Sequence, residues 1–488
     1  MGTSACMAGE GDFGAYGDEG YVDQGDDDGQ GQAMPQDPDP SDPEDPQEGA
    51  PDPNECNATD AVTLFLSPDD SNSMSSPVQV REAVLDGFSS LRTVPIRTWE
   101  FMNYYSFDYP AAEPGGVRIT PSLMATPGGE PGEYTLQIAV SSEQIEPTER
   151  APINITLVLD ASGSMGGHPM DMLKATSRAI AGSLAEGDVV SMVTWDTENQ
   201  TILSRHAVAG PDDPTLLAAI EALAPGGGTD LHGGLTAGYE LAQQAYDPGR
   251  INRIVLVSDG GANAGVTDIE TIAERAGGND SDGVYMVGVG VGDASTYNDG
   301  LMDAVTDAGK GASVFINDEQ EAERIFGERF ISTLDVAVRD VSVMLEMPPG
   351  FSVVRFSGEE ISTDPSEVEP QHLAPNDAMV FHQQLETCAP EQVDDETSFI
   401  VAVRYRDGVT FEQQEVRTEV TFGELLGAKD PLLFKGAAVF AYAEGLQAHK
   451  RSPSAESLAE AFEALEQAEA LDPEDPDLAE IRTVLEAL

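Results

Sequence analysis

The sequence predicts an α/β protein with a doubly wound, mostly parallel sheet, a second antiparallel β-sandwich domain and a C-terminal helical segment. Three observations lead to this fold class. Apolar runs alternate with helix-like stretches over residues 151–334, alternating strand patterns without helices fill 335–422, and helical patterns occupy 423–488. Apolar runs between helices are typical of parallel sheets covered on both faces, whereas alternating runs joined by turns are typical of antiparallel sheets.

Residues 1–60 form an acidic leader that we expect to stay extended as a tether. It contains GDDDGQGQ and DPDPSDPEDPQEGAPDP, and no Lys or Arg precedes Arg81. Such a segment buries too little apolar surface to offset the entropy lost on ordering. The 488-residue chain carries 88 acidic and 24 basic residues, a net charge of −64. This charge argues against nucleic acid and anionic lipid as partners, because both would repel the chain.

Residues 61–150 are predicted to form an N-terminal extension. AVTLFLS and EYTLQIAVSSEQI have the pattern of strands, and PVQVREAVLDGFSSL that of a helix beginning with Pro. We expect the aromatic stretch RTWEFMNYYSFDYP to pack in a core rather than to form a ligand cage. The last strand is expected to join the β-sandwich, which would make the α/β domain an insertion into it.

The α/β domain is predicted over residues 151–334. Its apolar runs are INITLVL, DVVSMVTW, RIVLVS, VYMVGVG and ASVFIN. DVVSMVTW and TILSRHAV are joined only by DTENQ, which is too short for a parallel crossover. We therefore expect an antiparallel hairpin at one edge of the parallel sheet.

The sandwich is predicted over residues 335–422, from alternating runs such as AMVFHQQLET and SFIVAVRYRD. The helical tail over 423–488 ends in two amphipathic segments separated by DPEDPD. A tetratricopeptide-like pair is one interpretation. A single helical hairpin still needs neighbours to bury its apolar face, so we expect the tail to dock on the sandwich.

Acidic and hydroxyl residues follow the ends of predicted strands. Asp160 ends the first strand of the α/β domain in LVLDASGSMGG, and Ser162 and Ser164 lie in the turn after it. Thr229, in PGGGTDLHGG, precedes a helix, and Asp259, in LVSDGGAN, ends a central strand. Ligands of open α/β sheets bind outside the carboxyl ends of strands. If the two acidic strands are neighbours, all five side chains meet at one edge.

Two carboxylates and three hydroxyls without His or Cys suit a hard divalent cation. Mg²⁺, Ca²⁺ and Mn²⁺ prefer oxygen ligands, and the lack of soft ligands argues against zinc or copper. Two carboxylates about 4 Å apart repel by about 4 kcal/mol at an effective dielectric of about 20, and a cation turns this repulsion into attraction. Gly163, Gly166 and residues 226–228 let the backbone approach closely. The alternative is that these residues only cap the following helix.

The motif DASGS, with the Thr of GGGTD and the Asp of VSDG, resembles the metal-ion-dependent adhesion site of von Willebrand factor A domains, which have a Rossmann-like fold. RTWEFMNYYSFDYP and the C-terminal helices resemble the flanks of a bacterial subgroup. The resemblance implies that the cation is held by Asp160, Ser162, Ser164, Thr229 and Asp259. An open coordination position would then take an Asp or Glu carboxylate of a partner protein.

The sequence therefore predicts a metal-dependent protein-binding module that is not an enzyme. The alternatives are a subunit of an ATPase or chelatase-like assembly, and a structural envelope protein whose metal only stabilises the fold. A haloacid-dehalogenase phosphatase would need a second Asp where Ser162 stands, and a serine hydrolase would need a glycine frame that these serines lack. His168 and His232 are expected at helix starts, not as catalytic bases.

The cysteines help to predict where in or outside the cell the protein is located. GTSAC resembles the end of a bacterial lipoprotein cleavage box, which would make Cys6 a lipid anchor. No hydrophobic stretch precedes it, so either the start lies further upstream or Cys6 is incidental. With Cys6 lipidated, Cys56 and Cys388 predict a disulfide in an exported protein, and two unlinked thiols are the alternative. The sequence has no run of about 20 apolar residues, so it predicts no transmembrane span. We expect a cell-envelope or extracellular location, with the cytoplasm left open.

Overall fold

The computed structural model of the protein describes residues 56–68, 72–87, 90–261, 283–295 and 297–488. Most of the predicted acidic leader, including Cys6, lies outside these residues. The described residues belong to one structural unit.

The described strands are β1 (Val62–Ser67), β2 (Arg118–Ala125), β3 (Glu133–Ser141), β4 (Ile153–Asp160), β5 (Val189–Trp195), β6 (Asn199–Ala207), β7 (Ile251–Ser258), β8 (Tyr285–Val291), β9 (Ser313–Ile316), β10 (Val338–Met347), β11 (Phe351–Phe356), β12 (Glu360–Ser362), β13 (Gln371–Leu373), β14 (Ala378–Thr387), β15 (Ser398–Asp407) and β16 (Gln413–Thr421). The described α-helices are α1 (Ser75–Arg81), α2 (Thr98–Tyr104), α3 (His168–Ser183), α4 (Pro214–Glu221), α5 (Leu231–Ala245), α6 (Asp299–Ala308), α7 (Glu319–Glu323), α8 (Phe330–Leu334), α9 (Phe422–Leu425), α10 (Pro431–Arg451), α11 (Ala459–Glu469) and α12 (Pro476–Ala487).

The sheet of the α/β domain is parallel except at one edge, as predicted. Its strands lie in the order β6-β5-β4-β7-β8-β9, and the hairpin pair of β5 and β6 is antiparallel. Consecutive side chains of β4 enter different cores, because a strand alternates faces. Leu157 shares a core with Leu173 of α3, and Val158 shares one with Tyr239 of α5. Helices therefore cover both faces of the sheet.

Two antiparallel sheets form the predicted sandwich. One has the order β12-β1-β10-β15-β16, with β13 also paired to β10, and the other has the order β11-β14-β3-β2. Apolar side chains of both sheets fill one core, including Leu66, Ile138, Leu345 and Phe381. Strands β1, β2 and β3 precede the α/β domain in the chain, and β10 to β16 follow it.

The helical tail packs on more than the sandwich. Gln137 of β3 donates a hydrogen bond of 2.9 Å from Nε2 to the Leu432 carbonyl at the start of α10. Phe101 of α2 meets Tyr442 of α10 edge to face, with ring centroids 5.4 Å apart. Docking on the sandwich was expected, whereas packing against α2 was not. Phe101 and Tyr104 are fully buried, so the aromatic stretch packs in a core as predicted.

A buried ion-pair cluster connects the tail to the α/β domain. The Lys435 ammonium lies 2.7 Å from the Asp475 carboxylate and 2.8 Å from that of Asp477. Asp477 also pairs with Arg324, which follows α7, at 3.1 Å. The backbone N–H of Ser106 donates a hydrogen bond to Asp477 at 2.9 Å. Extension, α/β domain and tail therefore share one set of charged contacts.

Cys56 and Cys388 are joined by a disulfide, with their Cα atoms 6.2 Å apart. The bond connects the chain just before β1 to the residue after β14. The alternative of two unlinked thiols is therefore wrong for this structure. Among the described residues, no helix is long and apolar enough to cross a membrane.

Candidate metal site

The carboxyl ends of β4 and β7 lie side by side at one edge of the α/β sheet. The two strands pair in parallel, with Leu159 opposite Val257. Asp160 is the last residue of β4, and Asp259 follows Ser258, the last residue of β7. The condition on which the predicted site depended, that the two acidic strands are neighbours, is met.

Asp160 is fully buried and held in place by two hydrogen bonds. Its Oδ1 accepts from the Ser162 backbone N–H at 2.8 Å, and its Oδ2 accepts from the Ser258 hydroxyl at 2.7 Å. Burial, with a smaller contribution from the Asp259 charge, raises the pKa of Asp160 to about 7, although the hydrogen bonds from Ser162 and Ser258 oppose the rise. The carboxylate is thus fixed in orientation but lies where a negative charge is unfavourable.

The two serines of the motif face each other. The hydroxyl oxygens of Ser162 and Ser164 are 3.0 Å apart. Ser162 is buried, whereas Ser164 is exposed. The serine pair therefore runs from the buried carboxylate of Asp160 out to the protein surface.

Backbone hydrogen bonds hold the loop of Thr229 against the Asp160 turn. The Gly226 N–H donates to the Ala161 carbonyl at 2.7 Å, and the Gly163 N–H donates to the Gly227 carbonyl at 3.2 Å. Gly227 has φ of +77°, a conformation that favours glycine. These contacts fix the glycine run just ahead of Thr229, which is itself buried.

Gly261 marks the place where the remaining side chains meet. A Cβ atom on this glycine would lie 3.1 Å from Asp259 Oδ1, 3.6 Å from Thr229 Cγ2 and 3.8 Å from Ser164 Oγ. The Gly261 N–H itself donates to Asp259 Oδ1 at 3.1 Å. Ser164, Thr229 and Asp259 thus surround one point, and Ser164 continues to Ser162 and Asp160. The structure brings all five predicted residues together.

One functional residue at this edge was not predicted from the sequence. Ser258 orients Asp160, and its hydroxyl also accepts the Gly260 N–H at 3.0 Å. The available signal was a hydroxyl residue at the end of an otherwise apolar strand, next to Asp259. The two histidines near the site lie at helix starts as expected, and His168 Nε2 lies 3.0 Å from the Asn317 carbonyl.

The side chains present fit a hard cation. The oxygen donors are two carboxylates and three hydroxyls, the donor type that Mg²⁺, Ca²⁺ and Mn²⁺ prefer. Neither Asp160 nor Asp259 forms an ion pair with Lys or Arg in the described part of the chain. No group of three or more His, Cys, Asp or Glu suited to a metal occurs among the described residues. The three hydroxyls therefore distinguish this candidate site from a metal site made only of His, Cys, Asp or Glu.

Residues 154–328 match the family described as von Willebrand factor type A domain. The chain therefore contains a vWA domain. The match begins within β4, ends before α8 and includes all five candidate residues. The vWA fold agrees with the order and direction of the strands, and the sandwich and the helical tail lie outside the matched residues.

Relatives of the chain resemble it over part of their length. The protein YfbK of Escherichia coli strain K12 is 26% identical over 265 residues, which are 52% of this chain and 45% of that protein. The protein sll0103 of Synechocystis sp. is 26% identical over 222 residues, 46% of this chain and 51% of that protein. The chain thus spans about half the length of these curated relatives.

Other matches cover smaller or larger shares of the chain. The inter-alpha-trypsin inhibitor heavy chain H2 of Sus scrofa is 28% identical over 156 residues, 30% of this chain and 16% of that protein. The solved von Willebrand factor type A structure from Catenulispora acidiphila is 16% identical, covers 78% of this chain and 91% of that one, and has a TM-score of 0.45. A vWA domain with relatives of the heavy-chain type fits a protein-interaction module.

Proposed function

We propose that the vWA domain binds a partner protein through a divalent cation, Mg²⁺, Ca²⁺ or Mn²⁺, held by Asp160, Ser162, Ser164, Thr229 and Asp259. The observation that carries the proposal is the burial of the Asp160 carboxylate beside Asp259, with no Lys or Arg paired to either in the described residues. A bound cation would supply the missing positive charge and an electrophilic position for an Asp or Glu carboxylate of the partner.

The chain's own residues prepare the site for this task. Ser258 and the Ser162 N–H orient the buried carboxylate of Asp160. The hydroxyls are neutral, so they offset less of a cation's charge than further carboxylates would. Ser164 is exposed, so a partner can reach this end of the donor set.

The net charge of −64 does not exclude an acidic partner group. Salt screens the repulsion between exposed charges beyond about 8–10 Å at ionic strengths of about 0.1–0.15 M. Attraction by a cation at contact acts inside that distance. We therefore expect partner binding to require the metal even at moderate salt.

We further propose that the protein works in the cell envelope or outside the cell as a binding module rather than an enzyme. The Cys56–Cys388 disulfide supports this location, because such bonds persist mainly in oxidising compartments. A lipid anchor at Cys6 would hold the vWA domain at a membrane surface.

Capture of partners from the native envelope fraction tests the proposed function. The immobilised chain is expected to retain its partner in Mg²⁺ and to release it in EDTA. Thr229→Ala is expected to lose the partner in Mg²⁺, because Thr229 supplies one of the five oxygens. Thr201→Ala, at an exposed position on the edge strand β6, is the matched control and should bind as wild type.

The captured protein also separates the alternatives. Retention that neither EDTA nor Thr229→Ala changes would contradict the proposal. If the partner captured without metal were an ATPase, that result would favour the alternative that this chain is a subunit of an ATPase or chelatase-like assembly.

A further inference from the structure

A second cleft lies between the vWA domain and the sandwich. Its volume is about 730 Å³, and its lining includes Tyr285, Lys310, Arg339, Arg406 and Phe411. Tyr285 begins β8, so the cleft lies at the amino ends of the parallel strands. The candidate metal site lies at the opposite ends of the strands, the carboxyl ends of β4 and β7.

Arg339 is held in this cleft by neutral groups. Its guanidinium donates to the Gly408 carbonyl at 3.3 Å and to the Tyr285 hydroxyl. It also lies over the Tyr285 ring, 5.0 Å from the centroid, and over the Phe411 ring at 5.1 Å. Within the described part of the chain, no carboxylate forms an ion pair with Arg339. Its positive charge is therefore positioned by contacts that do not neutralise it.

A second arginine adds charge behind the first. Arg253 is buried and lies over the same Tyr285 ring, 5.0 Å from its centroid. Burial lowers the pKa of Arg253 to about 10, Asp335 opposes the decrease, and Arg339 contributes to it. Of the described acidic groups, Asp335 lies near Arg253, and Asp340 pairs with Arg406 at 3.3 Å. Among the described residues, the three arginines Arg253, Arg339 and Arg406 outnumber these two acids.

His372 also lines the cleft, beside the same cations. Burial, followed by the charges of Arg339, Arg253 and Lys310, lowers the pKa of His372 to about 3. The neutral ring accepts the Asp340 N–H at Nδ1 over 3.4 Å. The chain has only 24 basic residues, and this cleft brings several of them together.

We propose that this cleft binds a small anion that carries two or more oxyanion groups, carboxylate or phosphate. Guanidinium groups present a planar fork that matches both kinds of oxyanion. The exposed ring of Phe411 offers an apolar contact beside these charges. The cleft volume of 730 Å³ lies in the range of small-molecule sites, about 300–1,000 Å³. The proposal is independent of the metal site.

Calorimetric titration of the full chain with pyrophosphate and with citrate, in buffer free of divalent cations, tests this site. At least one anion is expected to bind with a dissociation constant below about 1 mM at low salt. Affinity should fall as NaCl rises, because salt screens the attraction. Repeating the titration on Asp160→Asn removes any contribution of the candidate metal site, and the affinity should not change.

Charge-neutralising variants locate the bound anion. Lys310→Gln and Arg406→Gln, both at exposed positions, should each weaken binding about tenfold, the typical value of a charge-assisted hydrogen bond. Arg404→Gln is the matched control on the same strand, does not line the cleft and should bind as wild type.

The pattern of binding identifies the oxyanion or rejects the site. Binding of pyrophosphate alone indicates a phosphate ligand, and binding of citrate alone indicates a carboxylate ligand. Failure of both anions, or equal weakening by Arg404→Gln, would overturn the proposal. Tight binding of a tetraglutamate peptide when both small anions fail would also reject it, in favour of an acidic protein segment.

Discussion

The Asp160→Ala variant is expected to lose the stabilisation that Mg²⁺ gives the wild-type chain. At a Mg²⁺ concentration about 100 times the dissociation constant, the wild type should gain about 2.7 kcal/mol in free energy of unfolding. The gain should vanish because Asp160 is the buried carboxylate that the cation would neutralise. Thermal unfolding followed by circular dichroism, with and without Mg²⁺, measures the difference.

Two further variants separate lost metal binding from misfolding. Asp160→Asn keeps the shape of the side chain and removes its charge. Without metal it should be at least as stable as wild type, because burying an uncompensated charge costs free energy. Asp212→Asn, at an exposed position of the same domain, should keep the full response to Mg²⁺. A melting shift equal to wild type in both Asp160 variants would refute the site.

Removing the disulfide is expected to produce the other large effect. The double variant Cys56→Ser with Cys388→Ser should lose about 2–5 kcal/mol in free energy of unfolding. The bond joins residues 332 positions apart, so its loss releases a long closed loop in the unfolded chain. It also leaves the segment before β1 tied mainly by backbone contacts such as the 2.7 Å hydrogen bond from the Gly350 N–H to the Asn57 carbonyl. Urea unfolding measures the loss.

A reductant supplies the control for this variant. Dithiothreitol should lower the stability of the wild type toward that of the double variant and leave the double variant unchanged. Free thiols at Cys56 and Cys388 in protein from its native compartment would contradict the disulfide and remove the support it gives to an exported location.

The parallel sheet could be predicted because its signal is local. Each core strand of the vWA domain is an apolar run between helical patterns, and the five-residue link DTENQ requires an antiparallel hairpin. The convergence of Asp160 and Asp259 could also be predicted, since carboxyl ends of parallel neighbours meet at one edge. Both predictions depend on rules that need no knowledge of side-chain packing.

Strand β2 was missed because its sequence argues against a strand. RITPSLMA contains Pro121, which has no N–H to give to a ladder. The structure places β2 at the edge of its sheet, beyond β3, where a missing donor is tolerated. The three-residue strands β12 and β13 are too short to show alternation.

Contacts between distant segments were also beyond prediction. Nothing local in the sequence indicates that Lys435 pairs with Asp477, or that Asp477 meets Arg324 of the vWA domain. The same is true of the cationic cleft, whose residues come from separate loops and strands. Such clusters form only when the fold brings together side chains that each look like ordinary surface residues.

Anomalous diffraction from crystals soaked in Mn²⁺ tests the central claim most directly. We expect one strong peak between the hydroxyls of Ser162 and Ser164 and the side chains of Thr229 and Asp259, at metal–oxygen distances of about 2.0–2.6 Å. The peak should be absent from Asp160→Ala crystals. A Mn²⁺ peak elsewhere with none at this edge, under conditions that saturate the protein, would contradict it.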